Sequence, residues 1–329
     1  MEKILENQVN PTTEEVSKEM NMNNAKSVLT VCLSPTFQNT LMFDNFKQSQ
    51  VNRAVCPMLI SASGKGINVT RALTQLGRPS ECLTQLGGPR LQEFLDLCAE
   101  EHIKMQPVVC NSPIRTCTTI INRLQIQGQI KSTNLNTPRS TNPTTTPVHS
   151  DGLTTSTELV ENAHAVDADT DHQVRQRFLA AIQGKAALVI SGTKAPGFGP
   201  DLYPWMVSHA RQQGLLVVLD IKGHDLRECL SSHPDVIKPN LDEFIDTFFQ
   251  CKEIPESEAS ENLRDHVQLK TAELFRQFGV RTVLTRGQYD TWAFDGERLL
   301  TVPVPSVSVV NTIGCGDCMT AGLTDALLA

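Results

Sequence analysis

The sequence predicts an α/β fold: a doubly wound, mainly parallel sheet flanked by helices, with a small β-sheet lid. Three observations predict it. From about residue 172, short apolar runs typical of doubly buried strands alternate with segments of helical periodicity. Such repeated units build a parallel sheet. The first half instead holds two stretches of β-forming residues, about 38–60 and 107–164, which we assign to the lid.

The elements of the main sheet follow from the positions of apolar runs and glycines. In the first half, residues 28–33 are expected to form a buried strand, and residues 67–76 and 91–102 to form helices. Asp171 is expected to cap the next helix, which Gly184 ends. The elements expected after Gly184 are strands at 187–190, 215–219, 235–238 and 281–285 and helices at 202–212, 225–230, from 240 onward and at 263–278.

Composition and charge exclude several classes of function. The 329 residues are 40% hydrophobic, enough for a large core, and carry a net charge of −7, which disfavours a nucleic-acid partner. No apolar run approaches the roughly 20 residues that cross a bilayer, so we expect no membrane partner. Residues 1–26 are polar without an apolar signal segment, which predicts a disordered tail before one domain at 27–329. Ten scattered cysteines make no disulfide framework in so long a chain, which favours the cytoplasm.

The composition changes sharply between about residues 125 and 157. The run from 131 to 157 contains nine threonines and three prolines, with almost nothing that could enter a core. Such a segment cannot offset its ordering entropy, and a hairpin tip tolerates extra length at little cost. We therefore expect a disordered insertion within the lid.

The strongest chemical motif is the run Asn311-Thr312-Ile313-Gly314-Cys315-Gly316-Asp317, which precedes an apolar helical pattern. Two glycines around a small residue at a helix start leave backbone N–H groups free for an anion. An aspartate just inside that helix can accept a proton from an attacking hydroxyl. The same letters also fit an ordinary glycine-rich turn with a helix-favouring aspartate. Cys315 and Cys318 form the one C-x-x-C, and no second pair completes a zinc site.

A second motif begins at Gly64 and reads GKGINVTRA. It is not a Walker A loop, because no serine or threonine follows Lys65. Its glycines would let the backbone approach a ligand, Asn68 could bond sugar hydroxyls, and Lys65 could meet a phosphate. A glycine-rich helix start with a solvated lysine explains the same pattern.

Five segments occur in a fixed order: GKGINVTRALTQLG, SGTKAPG, VLDIKG, IKPNLDEF and NTIGCGD. In that order they resemble the PfkB (ribokinase-like) carbohydrate kinases, specifically the 1-phosphofructokinase and tagatose-6-phosphate kinase branch. The resemblance runs from about Val28 to the end of the sequence, interrupted by the threonine-rich insertion. It implies transfer of a phosphoryl group from ATP, with Mg²⁺, to a hydroxyl of a phosphorylated ketohexose.

The resemblance assigns the reaction centre to the last motif. Asp317 would be the base that activates the acceptor hydroxyl. The backbone around Gly314, Cys315 and Gly316 would be the anion hole for the transferring phosphoryl group.

The resemblance also assigns the acceptor. Gly64 and Asn68 would hold the sugar, while Lys65 and Arg115 would hold its existing phosphate, a task that suits the planar arginine fork.

On the nucleotide side, the resemblance implies that Asn240 and Glu243 organise Mg²⁺ largely through water. Lys238 would lie near the nucleotide phosphates, and Thr285 and Gly287 near the nucleotide. A bland interpretation exists here as well: a K-P-N run after a strand is an ordinary turn, and Glu243 an ordinary exposed helix residue.

The chain departs from the family pattern at four places. Gln38 stands where the family has an aspartate that contacts sugar hydroxyls, so affinity or sugar choice is expected to shift. Ser63 replaces the glycine before the second motif, and Asp290 replaces the second glycine of the nucleotide loop, placing a negative charge near polyphosphate. Twelve residues follow Asp317, whereas family members continue further, which implies a fragment or an incomplete ATP pocket.

Three functions remain open from the sequence. The first is an active kinase acting on a small-molecule sugar phosphate, favoured by Lys65 and Arg115. The second is a catalytically weak or inactive sugar-phosphate-binding homologue, motivated by Gln38, Asp290 and the short C-terminus. The third is a kinase for a free sugar or a nucleoside. By analogy with the family, the lid could pair two subunits into a homodimer.

Overall fold

The structure is a computed structural model, and it describes residues 26–123, 154–249, 261–305, 307 and 313–329. Residues 1–25 of the expected tail, most of the expected insertion and the first two residues of the 311–317 motif lie outside the described residues.

The described residues form thirteen strands and eight helices. The strands are β1 (Val28–Cys32), β2 (Thr36–Phe43), β3 (Leu59–Ser63), β4 (Ser80–Gly87), β5 (Lys104–Cys110), β6 (Arg115–Arg123), β7 (Thr154–Leu159), β8 (Ala187–Ser191), β9 (Leu216–Asp220), β10 (Val236–Ile237), β11 (Arg281–Arg286), β12 (Tyr289–Phe294) and β13 (Leu299–Val302). The helices are α1 (Lys65–Gln75), α2 (Leu91–Glu100), α3 (Ala168–Ala181), α4 (Leu202–Gln212), α5 (Gly223–Leu230), α6 (Leu241–Phe248), α7 (Glu261–Phe278) and α8 (Cys315–Leu328).

The main sheet has nine strands in the order β13-β12-β11-β10-β9-β8-β1-β4-β5. All neighbours from β11 to β5 are parallel, whereas β12 and β13 are antiparallel at one edge. The chain order reverses at β1, which pairs with both β8 and β4. The predicted doubly wound, mainly parallel sheet is confirmed, and the carboxyl ends of strands near such a reversal are where ligands bind in this class.

The lid is a separate four-stranded sheet in the order β3-β2-β6-β7. The expected boundaries of the lid differ from this sheet in two places. Residues 107–110 belong to β5 at the edge of the main sheet, because they continue a ladder with β4 that runs from Glu81↔Lys104 to Gly87↔Cys110. Residues 154–157, which we placed at the end of the insertion, form part of β7 and pair with β6.

The core lies on both faces of the parallel sheet. Every residue of β1 and β8 is buried, as the apolar character of residues 28–33 and 187–190 predicts. Helix α3 covers one face with Val174 and Phe178, which are fully buried. Burying one such side chain contributes about 1.5–3 kcal/mol. No helix among the described residues is long and apolar enough to span a membrane.

The N-cap of α3 corrects one expectation. Asp167, not Asp171, caps this helix, and its Oδ1 accepts a hydrogen bond from the backbone N–H of Thr170 at 2.8 Å. Asp171 lies within the first turn and pairs with Arg175 at 2.8 Å. Helical periodicity alone cannot tell which of two aspartates four residues apart is the N-cap.

Candidate active site

The N-terminal ends of α1 and α8 meet beside the carboxyl ends of the central strands, and the two helices pack together. Each helix begins with a glycine in the left-handed region: Gly64 has φ 129° and Gly314 has φ 78°. Glycine adopts such angles without a Cβ penalty. Two helix N-termini, whose free N–H groups attract anions, thus lie at the same edge of the sheet.

Asp317 is buried in the first turn of α8, with 5% of its surface exposed. Its Oδ2 accepts a hydrogen bond from Asn68 Nδ2 at 2.8 Å. The orientation of the Asn68 amide is fixed, because its Oδ1 accepts from Ser63 Oγ at 3.2 Å and from Arg71 Nη1 at 2.6 Å. The second motif therefore supplies the partner that holds the carboxylate of the first.

Burial raises the pKa of Asp317 above the ordinary range for an aspartate. The Asn68 hydrogen bond and the charges of Lys65 and Lys238 act in the opposite direction, while Asp220 adds to the rise. A carboxylate with a raised pKa is a stronger base when it is ionised. The site therefore contains a buried, positioned carboxylate suited to proton acceptance.

The other residues of the last motif lie around this carboxylate. A Cβ placed on Gly314 would be 4.0 Å from Asp317 Oδ2, and one placed on Gly316 would be 3.8 Å from Lys238 Nζ. Cys315 and Gly316 are exposed at the helix start. The glycine-rich turn at the helix start thus lies between a buried carboxylate and a cation.

Asp220, at the end of β9, joins the predicted residues into one network. It is 2% exposed, and its Oδ1 lies 3.4 Å from Lys238 Nζ and 3.7 Å from Lys65 Nζ. Its Oδ2 accepts hydrogen bonds from Ser191 Oγ at 3.1 Å and Thr320 Oγ1 at 3.2 Å. Our sequence reasoning missed Asp220 as a site residue, although an aspartate ending a buried apolar strand was a usable signal.

Lys65 is held in its charged form. Burial disfavours the charge, but the carboxylates of Asp220, Glu243 and Asp317 outweigh burial and raise the pKa of this lysine. A lysine charged at every physiological pH can bind a phosphate as a point charge.

A cleft of about 360 Å³ opens beside this network. Lys65, Asp220 and Glu243 line it together with Arg115 and Val160, which come from the lid strand β6 and the residue after β7. The lid therefore forms one wall of the cleft, and residues of the main sheet form the other. The volume of the cleft suits a small ligand.

The residues expected on the nucleotide side lie together at the ends of β10 and β11. Asn240 forms a β-bridge with Thr285, and it caps α6 in a capping box with Glu243. Glu243 Oε2 accepts from Asn240 N–H at 3.1 Å, and Oε1 lies 3.4 Å from Lys222 Nζ. Gly287 is exposed with φ 61°. No cluster of three or more metal-ligating side chains is present in the part of the chain that the structure describes.

Arg115 and Gln38, both expected at the acceptor, differ in where their side chains lie. Arg115 lines the cleft, and its two terminal nitrogens donate to Glu161 O at 2.8 Å and Ser34 O at 3.4 Å. The amide of Gln38 is used inside the lid, where Nε2 donates to Thr119 Oγ1 at 2.9 Å and Asn39 O at 3.1 Å. The structure does not place Gln38 on the lining of the cleft.

The carboxylate of Asp290 accepts a hydrogen bond from a neighbouring segment of the chain. Its Oδ1 accepts from the backbone N–H of Val304 at 3.2 Å, which ties the start of β12 to the segment after β13. Cys315 and Cys318, the C-x-x-C pair, both lie on α8 and form no disulfide within the described part of the chain.

The doubly wound sheet carries a lid, and lysines and carboxylates surround the cleft at the ends of its central strands, an arrangement suited to binding a small phosphorylated ligand. The family model described as pfkB family carbohydrate kinase matches residues 125–329, well over half of the chain, and the chain belongs to that family. The resemblance to that family is thereby confirmed.

Known relatives agree with this assignment. A tagatose-6-phosphate kinase from Staphylococcus epidermidis is 25% identical over 303 residues, covering 92% of this chain and 85% of the relative. The tetrameric inhibited form of phosphofructokinase-2 from Escherichia coli superposes with a TM-score of 0.70 at 21% identity, covering 92% of this chain and 87% of that chain. A possible 1-phosphofructokinase from Thermotoga maritima has a TM-score of 0.71 at 20% identity, covering 90% and 83%. At these identities the solved structures establish the fold.

Proposed function

We propose that this kinase transfers the γ-phosphoryl group of ATP to a hydroxyl of a phosphorylated ketohexose, with Asp317 as the general base. One observation carries the proposal. Asp317 is buried beside a left-handed glycine at a helix N-terminus, and Asn68 from another helix holds it. The names of the relatives, a tagatose-6-phosphate kinase and a possible 1-phosphofructokinase, support the acceptor class.

In the proposed reaction, the acceptor oxygen attacks the γ-phosphorus as Asp317 takes the hydroxyl proton. The bond from that phosphorus to the β–γ bridging oxygen breaks, and ADP leaves. Backbone N–H groups at Gly314–Gly316 and the ammonium of Lys238 stabilise the charge on the transferring group. Proton acceptance by a positioned carboxylate contributes about 10²–10⁴-fold, and positioning contributes the rest.

Lys65 and Arg115 are proposed to bind the phosphate that the acceptor already carries. Both line the cleft, and both are cationic. Gly64 and Asn68 are proposed to hold the sugar near the base, since Asn68 already contacts Asp317. Gln38 acts only through the lid in this proposal, because its amide donates within that sheet.

The carboxylates present fit Mg²⁺ bound largely through water. Asp220 and Glu243 line the same cleft, and Mg²⁺ typically takes one or two carboxylates plus phosphate oxygens and waters. Asn240 holds Glu243 in place through the capping box. Bound there, Mg²⁺ would neutralise charge on the nucleotide phosphates. Thr285 and Gly287 would then lie near the nucleotide.

The test is ADP release by purified protein with Mg·ATP against fructose 1-phosphate, tagatose 6-phosphate, fructose 6-phosphate, fructose and ribose. Asp317→Asn is run alongside. Turnover on a phosphorylated ketohexose that Asp317→Asn abolishes supports the proposal. Turnover only on fructose or ribose would show that the acceptor is a free sugar and not a phosphorylated ketohexose. Binding of a sugar phosphate by folded protein without turnover would leave an inactive binding homologue instead.

We also propose that the lid pairs two copies into a homodimer in the cytoplasm. The edge strands β3 and β7 expose Leu59 (64%) and Leu159 (54%). The cysteines of the described part form no disulfide, which supports a reducing compartment. Sedimentation velocity tests the dimer: Leu59→Lys should shift it toward monomer, and a wild-type monomer at micromolar concentration would exclude it.

A further inference from the structure

A series of polar contacts links the buried carboxylate of Asp317 to the surface of the molecule. Asn68 Nδ2 donates to Asp317 Oδ2 at 2.8 Å, and Asn68 Oδ1 accepts from Arg71 Nη1 at 2.6 Å. Arg71 pairs in turn with Glu101, the C-cap of α2, and its Nη2 lies 3.2 Å from Glu101 Oε1. The side chain of Glu101 is 35% exposed, so the series reaches solvent there.

Contacts to two other elements fix the guanidinium of Arg71. The residue lies on α1, three positions after Asn68, so the two side chains share one face of the helix. Its Nε and Nη2 donate to Glu101 at the end of α2, and Nη2 also donates to Ala62 O on β3. Because the guanidinium is planar, these contacts also fix the position of Nη1, which donates to Asn68.

The amide of Asn68 has two possible orientations, and its three partners differ in what they allow. Arg71 donates only, so it requires Oδ1 on its side. Ser63 Oγ lies 3.2 Å from Oδ1, and a hydroxyl can donate to an oxygen or accept from a nitrogen, so it allows both orientations. The ionised carboxylate of Asp317 accepts only, so it requires Nδ2 on its side. Before proton transfer, Arg71 and Asp317 therefore favour the same orientation.

Protonation of Asp317 removes one of these two constraints. A carboxylate that has taken the proton of the acceptor hydroxyl can donate a hydrogen bond as well as accept one. An amide that was free to turn would then place Oδ1 against the new O–H and stabilise the protonated base. With Arg71 in place, the turned amide would set Nδ2 against the guanidinium, two donors with no acceptor between them. Arg71 therefore keeps Asn68 donating to Asp317 before and after the proton arrives.

We propose that Arg71 is a positioning residue that fixes the amide of Asn68 throughout the reaction, with Glu101 holding Arg71 in place. Asn68 then presents the same N–H to Asp317 in every turnover. This inference rests on the proposed function, because Asp317 must be the base. It deepens that function by adding two residues that act on the base through Asn68.

Three substitutions of Arg71 separate hydrogen-bond direction from packing. Lysine donates only, glutamine can donate or accept, and methionine does neither. Arg71→Met should lower kcat about 10- to 100-fold, because a displaced base loses its alignment with the acceptor hydroxyl. Arg71→Lys should retain more of kcat than Arg71→Gln or Arg71→Met. KM for ATP should stay unchanged, since the hydrogen bonds of Arg71 go to Asn68, Ala62 and Glu101.

A double-mutant cycle shows whether Arg71 acts through Asn68. Arg71→Met should lower kcat in wild type and have no further effect in Asn68→Leu, whereas independent structural losses would multiply. Glu101→Gln removes only a partly exposed charge, so it supplies a second variant if Arg71→Met does not fold. It should lower kcat less than Arg71→Met does, and it should also have no effect in Asn68→Leu.

Arg78→Met is the matched control. Arg78 also pairs with a carboxylate, Asp325 on α8, and the exposed fractions of the two side chains, 15% and 32%, are close to those of Arg71 and Glu101. Its hydrogen bonds go to Asp325 and to Lys26 O, not to Asn68. Arg78→Met should therefore match wild type in kcat and in KM.

Hydrogen exchange of the Asn68 side-chain amide tests the orientation without any turnover. NMR of ¹⁵N-labelled protein measures it, and the signal is assigned by its absence in Asn68→Leu. Exchange should be slow in wild type, Arg71→Lys and Arg78→Met, because the amide stays bonded to a buried carboxylate. It should be faster in Arg71→Met, in which the amide can turn.

The outcomes separate this inference from the proposed function. A loss of kcat in Arg71→Met that persists in Asn68→Leu would overturn the inference, as would equal amide exchange in wild type and Arg71→Met. A folded wild type that releases no ADP with any acceptor would overturn the proposed function. The exchange rates would then decide by themselves whether Arg71 fixes Asn68.

Discussion

Asn68 and Asp317 are 249 residues apart in sequence, yet their side chains share a 2.8 Å hydrogen bond at the junction of α1 and α8. The bond joins the motif expected to hold the acceptor to the motif expected to carry the base. Neither motif therefore forms the site alone.

Asp317→Asn should remove catalysis while stabilising the protein at neutral pH. Loss of the base should lower kcat about 10²–10⁴-fold. Burial raises the pKa of Asp317, so the neutral carboxyl favours the folded state. That favourable contribution is complete below the unfolded pKa of about 3.9 and is lost as pH rises through the folded pKa. The melting temperature of Asp317→Asn should therefore exceed that of wild type at pH 7, and the difference between them should vanish near pH 3.5. A lower melting temperature of the variant at pH 7 would contradict this account.

In a profile of kcat/KM against pH, the fall on the acidic side should reflect the raised pKa of Asp317. Activity requires the ionised base, so the rate should fall at a pH above about 3.9, the ordinary value. Asn68→Leu removes a hydrogen bond that lowers this pKa, so the limb should move to higher pH. A pH–rate profile for each protein measures the effect. A limb that stays in place in Asn68→Leu would show that the bond does not tune the base.

Gly64→Ala should destabilise the fold more than Gly184→Ala. Both glycines have positive φ, but a Cβ on Gly64 would lie 2.6 Å from Cys32 Sγ, whereas one on Gly184 would meet no atom within 4 Å. Backbone strain alone costs about 1–3 kcal/mol at either position, and the contact adds to it only at Gly64. Urea unfolding measures both variants. Equal losses would mean that the sulfur moves aside freely.

Asp220→Asn should cost about 3–5 kcal/mol of stability, because it leaves buried Lys238 without its countercharge. The double variant Asp220→Asn with Lys238→Met should recover part of that loss, since no unpaired buried cation remains. Glu93→Gln, which breaks the exposed pair with Arg90, is the control and should leave the urea midpoint unchanged. Additive effects of the two substitutions would contradict a coupled network.

Much of the fold could be predicted because the hydrophobic periodicity of a segment matches the burial of its residues in the structure. Residues 202–212 form a helix between the predicted bounds, and the apolar run at 187–190 is β8. Strand β4 was missed, since Ser80, Glu81, Thr84 and Gln85 interrupt its apolar pattern while neighbouring strands bury three of them. Strands β12 and β13 were missed because they form a partly exposed edge hairpin.

The site could be predicted only where its motifs are local. The order of the motifs along the chain indicated Asp317, Asn68 and Lys65 as site residues. The structure brings these three side chains together. It could not show that Asp220 pairs with two lysines, because those contacts exist only after β9 and β10 lie side by side.

The pairing of β6 with β7 has a practical consequence. Arg123 and Thr154 are register partners, so the chain leaves the lid and re-enters it at one point. Interruption between 123 and 154 gives two pieces, one with Lys65 and Asn68 and the other with Asp317. We therefore expect that a split reporter can be made by cutting the chain here, with the proposed phosphoryl transfer restored only when two tethered pieces are brought together.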